Sequence, residues 1–117
     1  MKARFIGFGE IEIDDQSYNF DVVINKGKVR KRKKKPSKAY RSQYGHTPLS
    51  ADEKIPWGGK SLIVGTGAYG QLPIMPKILD EAEQRGIEII AVPTDEACSI
   101  ISDKEGMNVR AILHVTC

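Results

Sequence analysis

Residues 60–92, KSLIVGTGAYGQLPIMPKILDEAEQRGIEIIAV, read in order as strand, glycine loop, helix and strand. Leu62, Ile63 and Val64 form a short apolar run of the kind that marks a strand covered on both faces, and residues 89–92 form another. Between them Met75, Leu79 and Ala82 make an apolar stripe at helical spacing, backed by Ile78, while Lys77, Asp80, Glu81, Glu83 and Arg85 point outward. Pro76 suits the first helical position, where its missing N–H is harmless, and Gly86 suits the stop. Beyond this stretch Thr94 offers a cap for a second helix. Asp95 and Glu96 in its first turn complement the dipole, and Ala97, Cys98 and Ile101 face inward. A third apolar run at residues 111–115 completes a βαβαβ unit over residues 60–117.

Gly65, Gly67 and Gly70 stand at G-x-G-x-x-G spacing, the pattern of a dinucleotide-binding loop. The context argues against that reading. In the dinucleotide fold the helix begins inside the motif and its free amides meet the pyrophosphate, whereas here Pro73 and Pro76 hold the helix back. Nor does an acid follow at the required distance, since Asp95 and Glu96 lie too far on. No lysine occupies the loop, which excludes a P-loop. No cofactor is therefore expected. Two readings of the loop stand side by side. In one the glycines only let the chain turn over the sheet edge. In the other Gly65, Thr66, Gly67, Tyr69 and Gly70, with Thr94, Glu96 and Cys98, line a pocket for a small anionic ligand at the carboxyl ends of parallel strands.

Working toward the N-terminus, residues 4–35 read as an antiparallel meander of three strands. Ile11 and Ile13 alternate with Glu10, Glu12 and Asp14, and DDQS marks a turn. Tyr18, Phe20, Val22 and Ile24 then alternate with polar neighbours, Val23 excepted, so that Phe20, Val22 and Ile24 define one buried face. Asn25-Lys26-Gly27 supplies the second turn. The third strand, residues 28–35, is basic on both faces and so belongs at a solvated edge. Nine basic residues and no acid lie between Lys26 and Lys38, whereas the rest of the chain carries nine bases against 15 acids. The net charge of +3 conceals this polarity. Arg30, Lys31, Arg32, Lys33, Lys34 and Lys35 thus form a candidate docking patch for an acidic protein surface, with nucleic acid as the alternative partner and lysine blunting of an edge strand as the plain structural reading. Residues 36–59 form a long connection in which Ser50 and Glu53 match a capping box for a helix of a turn or two.

At 117 residues the chain has the length of one domain, 1–117. Its 40% hydrophobic and 28% charged residues are those of an ordinary soluble protein. No membrane segment or leader is apparent, which points to the cytoplasm. Cys98 and Cys117 form no metal-binding or disulfide pattern. His46 and His114 have no partner at ligand spacing, so no metal is expected, and His114 reads as a core or hydrogen-bonded histidine. No serine sits in a nucleophile elbow, and Asp95 and Glu96 diverge by about 100° on a helix. The pattern names no catalytic residue.

The segments FGEIEIDDQSYNFDVVI, KVRKRKKKPSK, HTPLS, LIVGTGAYGQLPIMP, EAEQRGIEIIAVPTDEAC and AILHVTC together resemble a small domain family. It includes the vertebrate adipogenesis-associated protein, a mitochondrial respiratory complex I assembly factor and many uncharacterised archaeal and bacterial proteins. The resemblance runs from Phe8 to Cys117. It implies a three-layer α/β domain with a mixed central sheet and an extra β layer, and it brings no established catalytic activity. The expectation is a non-enzymatic interaction or assembly-type protein. Small-anion binding at the glycine loop and nucleic-acid binding at the basic strand are the alternatives.

Overall fold

The computed structural model describes all residues, Met1–Cys117. A three-stranded antiparallel sheet, β1 (Ala3–Gly7), β2 (Glu10–Ile13) and β3 (Gln16–Tyr18), precedes β4 (Val22–Asn25) and β5 (Lys28–Lys31). A 3-10 turn (Lys35–Tyr40) and a one-turn helix α1 (Arg41–Tyr44) open the long connection. The C-terminal half runs β6 (Ser61–Thr66), α2 (Pro76–Gln84), β7 (Glu88–Val92), α3 (Thr94–Ser102) and β8 (Arg110–His114). The strands order as β5-β4-β8-β6-β7, parallel among β6, β7 and β8 and antiparallel where β4 meets β5 and β8. This is the expected α/β architecture with a mixed central sheet.

The central sheet is covered on both faces. On one, Val22, Ile24, Ile63, Ala111 and Leu113 pack with Ala97, Cys98 and Ile101 of α3 and with Ile11 and Ile13 of the small sheet. On the other, Val23, Leu62, Val64 and Ile112 pack with Ile78 and Ala82 of α2 and with Leu49 and Leu72 from the flanking loops. Each fully buried aliphatic side chain, such as Ile78, contributes about 1.5–3 kcal/mol. Val23 broke the alternation because β4 is an interior strand whose two faces are both core.

The N-terminal reading needs correcting. Five strands, not three, occupy this region, because the chain changes sheets at Asn19–Asp21 and the supposed middle strand is split between β3 and β4. Two turns make this compact. Asp14 and Asp15 (φ 48° and 68°) and Lys26 and Gly27 (φ 52° and 79°) each supply the paired positive φ of a tight hairpin. The third strand ends at Lys31 instead of 35, since Pro36 sits at the start of a 3-10 turn. No helix forms at Ser50. In α2, Ile78 and Ala82 are buried while Leu79 is 48% exposed, so the buried stripe lies one residue from the expected one. Pro76 starts that helix and Gly86, at φ 67°, follows its end, both as expected. Thr94 lies inside α3, with Pro93 at the cap.

Candidate functional site

Register places four polar residues in one row across the carboxyl end of β8. Val22 pairs with both Lys31 and Leu113, and Thr66 with His114. The next residues along therefore align as Arg32, Asp21, His114 and Thr66. The Arg32 N–H donates to the Asp21 carbonyl at 2.8 Å and extends the ladder by one step. All four side chains are buried, at 4%, 7%, 9% and 8% exposure.

A buried charge needs partners, and this row has them. Arg32 donates Nη1 to Asp21 Oδ2 at 2.9 Å, and Nε and Nη2 to the two oxygens of Glu53, each at 2.8 Å. Nη2 also donates to the Pro48 carbonyl at 3.1 Å. Asp21 Oδ2 further pairs with His114 Nδ1 at 2.8 Å, and Oδ1 accepts the Val115 N–H at 2.9 Å. Ser37 donates to Glu53 and meets the Ser50 hydroxyl at 2.7 Å. Burial alone would raise the Asp21 carboxyl. The His114 hydrogen bond and charge, the Val115 amide and Arg32 outweigh it and hold the carboxyl below its ordinary value. Arg32 shows the same balance with opposite sign: burial opposes its charge, and the Glu53 and Asp21 carboxylates over-compensate. The long connection is thus fastened to the sheet by an ion cluster. Glu53, read above as a capping residue, instead clamps Arg32.

The basic run is accordingly divided. Arg32 faces inward, and Arg30 donates to the Lys54 carbonyl at 2.7 Å. Lys31, Lys33, Lys34 and Lys35 are exposed, and none of them enters an ion pair. Lys31 lies 5.2 Å from the Phe20 ring centroid, a cation–π contact at the edge of the sheet.

The glycine loop is arranged differently. Gly67 N–H donates to Thr94 Oγ1 at 2.9 Å, and Thr94 Oγ1 donates on to the His114 carbonyl. The amides of Ala68, Tyr69 and Gln71 reach main-chain oxygens of Thr116 and Cys117, and Leu72 N–H reaches the Thr66 carbonyl. At Gly67 (φ 108°) a Cβ would collide with the Cys117 main chain. Gly65, Thr66, Gly67, Gly70 and Thr94 do come together, but the Gly67 and Gly70 amides and the Thr94 amide and hydroxyl are directed at the chain itself. Tyr69 is 72% exposed and its ring lies 6.1 Å from that of Phe8. Glu96 is exposed on the surface of α3. Cys98 is packed in the core, where burial and then the Asp95 charge push its thiol up to about 11, leaving it protonated at neutral pH.

Beside the ion cluster lies a cavity of about 170 Å³, lined by Arg32, Lys34, Arg41, His46 and His114 together with Thr47 and Cys117. None of Asp21, Glu53, Arg41, His46 and Thr47 was singled out from the sequence as part of a site. Asp21 and Glu53 sit 11 and 21 positions from Arg32 and carry no local signature of pairing with it.

No group of His, Cys, Asp and Glu is placed to hold a metal ion, and no helix is long and apolar enough to cross a membrane. No curated protein matches the chain. A solved structure of a conserved hypothetical protein, PH1505 from Pyrococcus horikoshii OT3, is similar over 100% of both chains, at 29% identity and a TM-score of 0.75. A second, described as MT938, is similar over 99% of this chain and 98% of its own, at 26% identity and a TM-score of 0.69. Residues 4–114 match the family described as Protein of unknown function (DUF498/DUF598), and the chain belongs to that family.

Proposed function

We propose that this protein is a non-enzymatic interaction protein that docks an acidic protein surface on the exposed lysines flanking Arg32. The observation that carries the reading is the absence of any ion pair to Lys31, Lys33, Lys34 or Lys35. Four closely spaced, exposed lysines without ion pairs, Lys31 at the end of β5 and Lys33, Lys34 and Lys35 in the segment after it, leave a strong local field, which steers an acidic partner and fixes its orientation. Arg32 does not belong to the docking surface in this reading. It anchors the segment that presents the lysines. The resemblance to a family that includes a respiratory complex I assembly factor is in keeping with an interaction role.

The test uses Lys31, Lys33 and Lys35 changed together to Gln. Proteins that co-purify with the wild type at low salt should be lost from this variant while its fold is unchanged. Retention of those proteins sinks the proposal. Binding of random-sequence duplex with a steep salt dependence, without protein capture, assigns the surface to nucleic acid instead.

A further inference from the structure

We infer that the cavity bounded by Lys34, Arg41, His46 and His114 is a binding site for a phosphate-type oxyanion, either the free ion or the phosphoryl group of a small molecule. The inference stands independently of protein docking, because it rests on how the carboxylates of the buried cluster are engaged. The cavity lining holds five basic side chains and no acidic side chain. Two carboxylates lie immediately behind it, yet every one of their oxygens is already engaged. Asp21 accepts from Val115, Arg32 and His114, and Glu53 accepts from Arg32 and Ser37.

Donors, by contrast, remain. Of the five guanidinium hydrogens of Arg32, four are committed to Glu53, Asp21 and Pro48, which leaves one on Nη1. Lys34 and Arg41 are in no ion pair. His114 turns Nδ1 to Asp21, an acceptor-only group when ionised, and Nε2 to the Thr116 hydroxyl at 3.3 Å, so it bounds the cavity without adding a donor to those of Arg32, Lys34 and Arg41. Thr47 adds a neutral hydroxyl to the wall. Convergent charged donors around a small volume suit a compact anion with several acceptor oxygens.

The position agrees with this. The cavity lies at the carboxyl end of β8, beside His114, and the glycine loop lies at the carboxyl end of the neighbouring parallel strand β6, the end at which α/β sheets bind ligands. The largest depression on the molecule, about 720 Å³, differs in kind. It runs along α2 and is lined by charges of both signs, Lys77 and Arg85 with Asp80 and Glu81, as a solvated helix face is.

The test is titration of the full chain with inorganic phosphate at fixed ionic strength and pH 7.5, reading the imidazole resonances of His46 and His114. Both should shift saturably. Lys34→Ala with Arg41→Ala should weaken binding by about tenfold or more, because each removes a charge-assisted hydrogen bond. Lys33→Gln with Lys35→Gln, outside the cavity, should change it by less than about twofold. Acetate, with fewer acceptor oxygens and one charge, should bind about tenfold more weakly. Absence of a saturable shift overturns the inference. So does equal loss in the two double variants, which marks diffuse attraction to the lysines, and so does acetate binding as tightly as phosphate. His46→Gln, expected to weaken phosphate without altering the His114 environment in the free protein, keeps the test decisive if the Lys34/Arg41 variant folds poorly.

Discussion

The glycine loop and the basic run are the two parts of this chain that carry the outward marks of a binding site, and they use their polar groups in opposite ways. The loop turns its amides inward: Gly67, Ala68, Tyr69, Leu72 and Gln71 all donate to the chain's own oxygens. At Gly65 and Gly67 a Cβ would be crowded, at Gly67 by the Cys117 main chain, and Gly70 takes a φ of 67°. The basic run commits Arg32 internally and leaves its lysines in solvent without ion pairs. What distinguishes a site from a scaffold here is whether the donors already have partners.

Substitutions that reverse either assignment sharpen the contrast. The largest effect belongs to Arg32→Ala, which leaves Asp21 and Glu53 buried and uncompensated. Chemical denaturation should register a loss of about 3–5 kcal/mol, where Lys33→Ala should stay within about 0.5 kcal/mol. Gly67→Ala comes next, at about 1–3 kcal/mol for the strained backbone with the collision added. Gly86→Ala, at φ 67° with open space around the new methyl, should lose only about 1–2 kcal/mol. If these two cost the same, the loop is not packed as tightly as described.

Acidity gives a smaller, directional effect. Asp21 titrates below its ordinary value of 3.8 when folded. Its stabilisation is therefore complete above that value and is lost as pH falls through the lower folded value. Denaturant midpoints measured downward from pH 5 should fall more steeply for the wild type than for Asp21→Asn, which starts from a lower stability. Parallel curves count against a carboxylate held by His114, Val115 and Arg32.

The C-terminal half was legible because its signals are local. Apolar runs, a proline at the first position of α2 and Gly86 after its end are each decided within a few residues. The delay of α2 behind the glycine loop was also readable, from Pro73 and Pro76. The N-terminal half depended on distant partners. The sheet change at Asn19–Asp21 is tied to Val115, 94 positions away, and nothing in YNFDVV reports it. The burial of Arg32 was hidden for the same reason. It stands among lysines of like charge, and only the guanidinium fork, with carboxylates arriving from the segment just before β4 and from the long connection, separates it from them. Thr94 and Glu53 were read as capping residues because a local rule fits both, whereas their side chains serve tertiary contacts. The cavity beside His114 gathers residues from the segment after β5, α1, the connection, β8 and the residues after it, a combination no window of sequence displays.

The central claim is that Arg32 holds the fold while its lysine neighbours hold the partner. Replacing Lys31, Lys33 and Lys35 with Gln and following both stability and low-salt co-purification tests it most directly. The account predicts a denaturation free energy within about 0.5 kcal/mol of the wild type together with loss of the co-purifying proteins. Retained partners, or a fold that fails with the lysines, would contradict it.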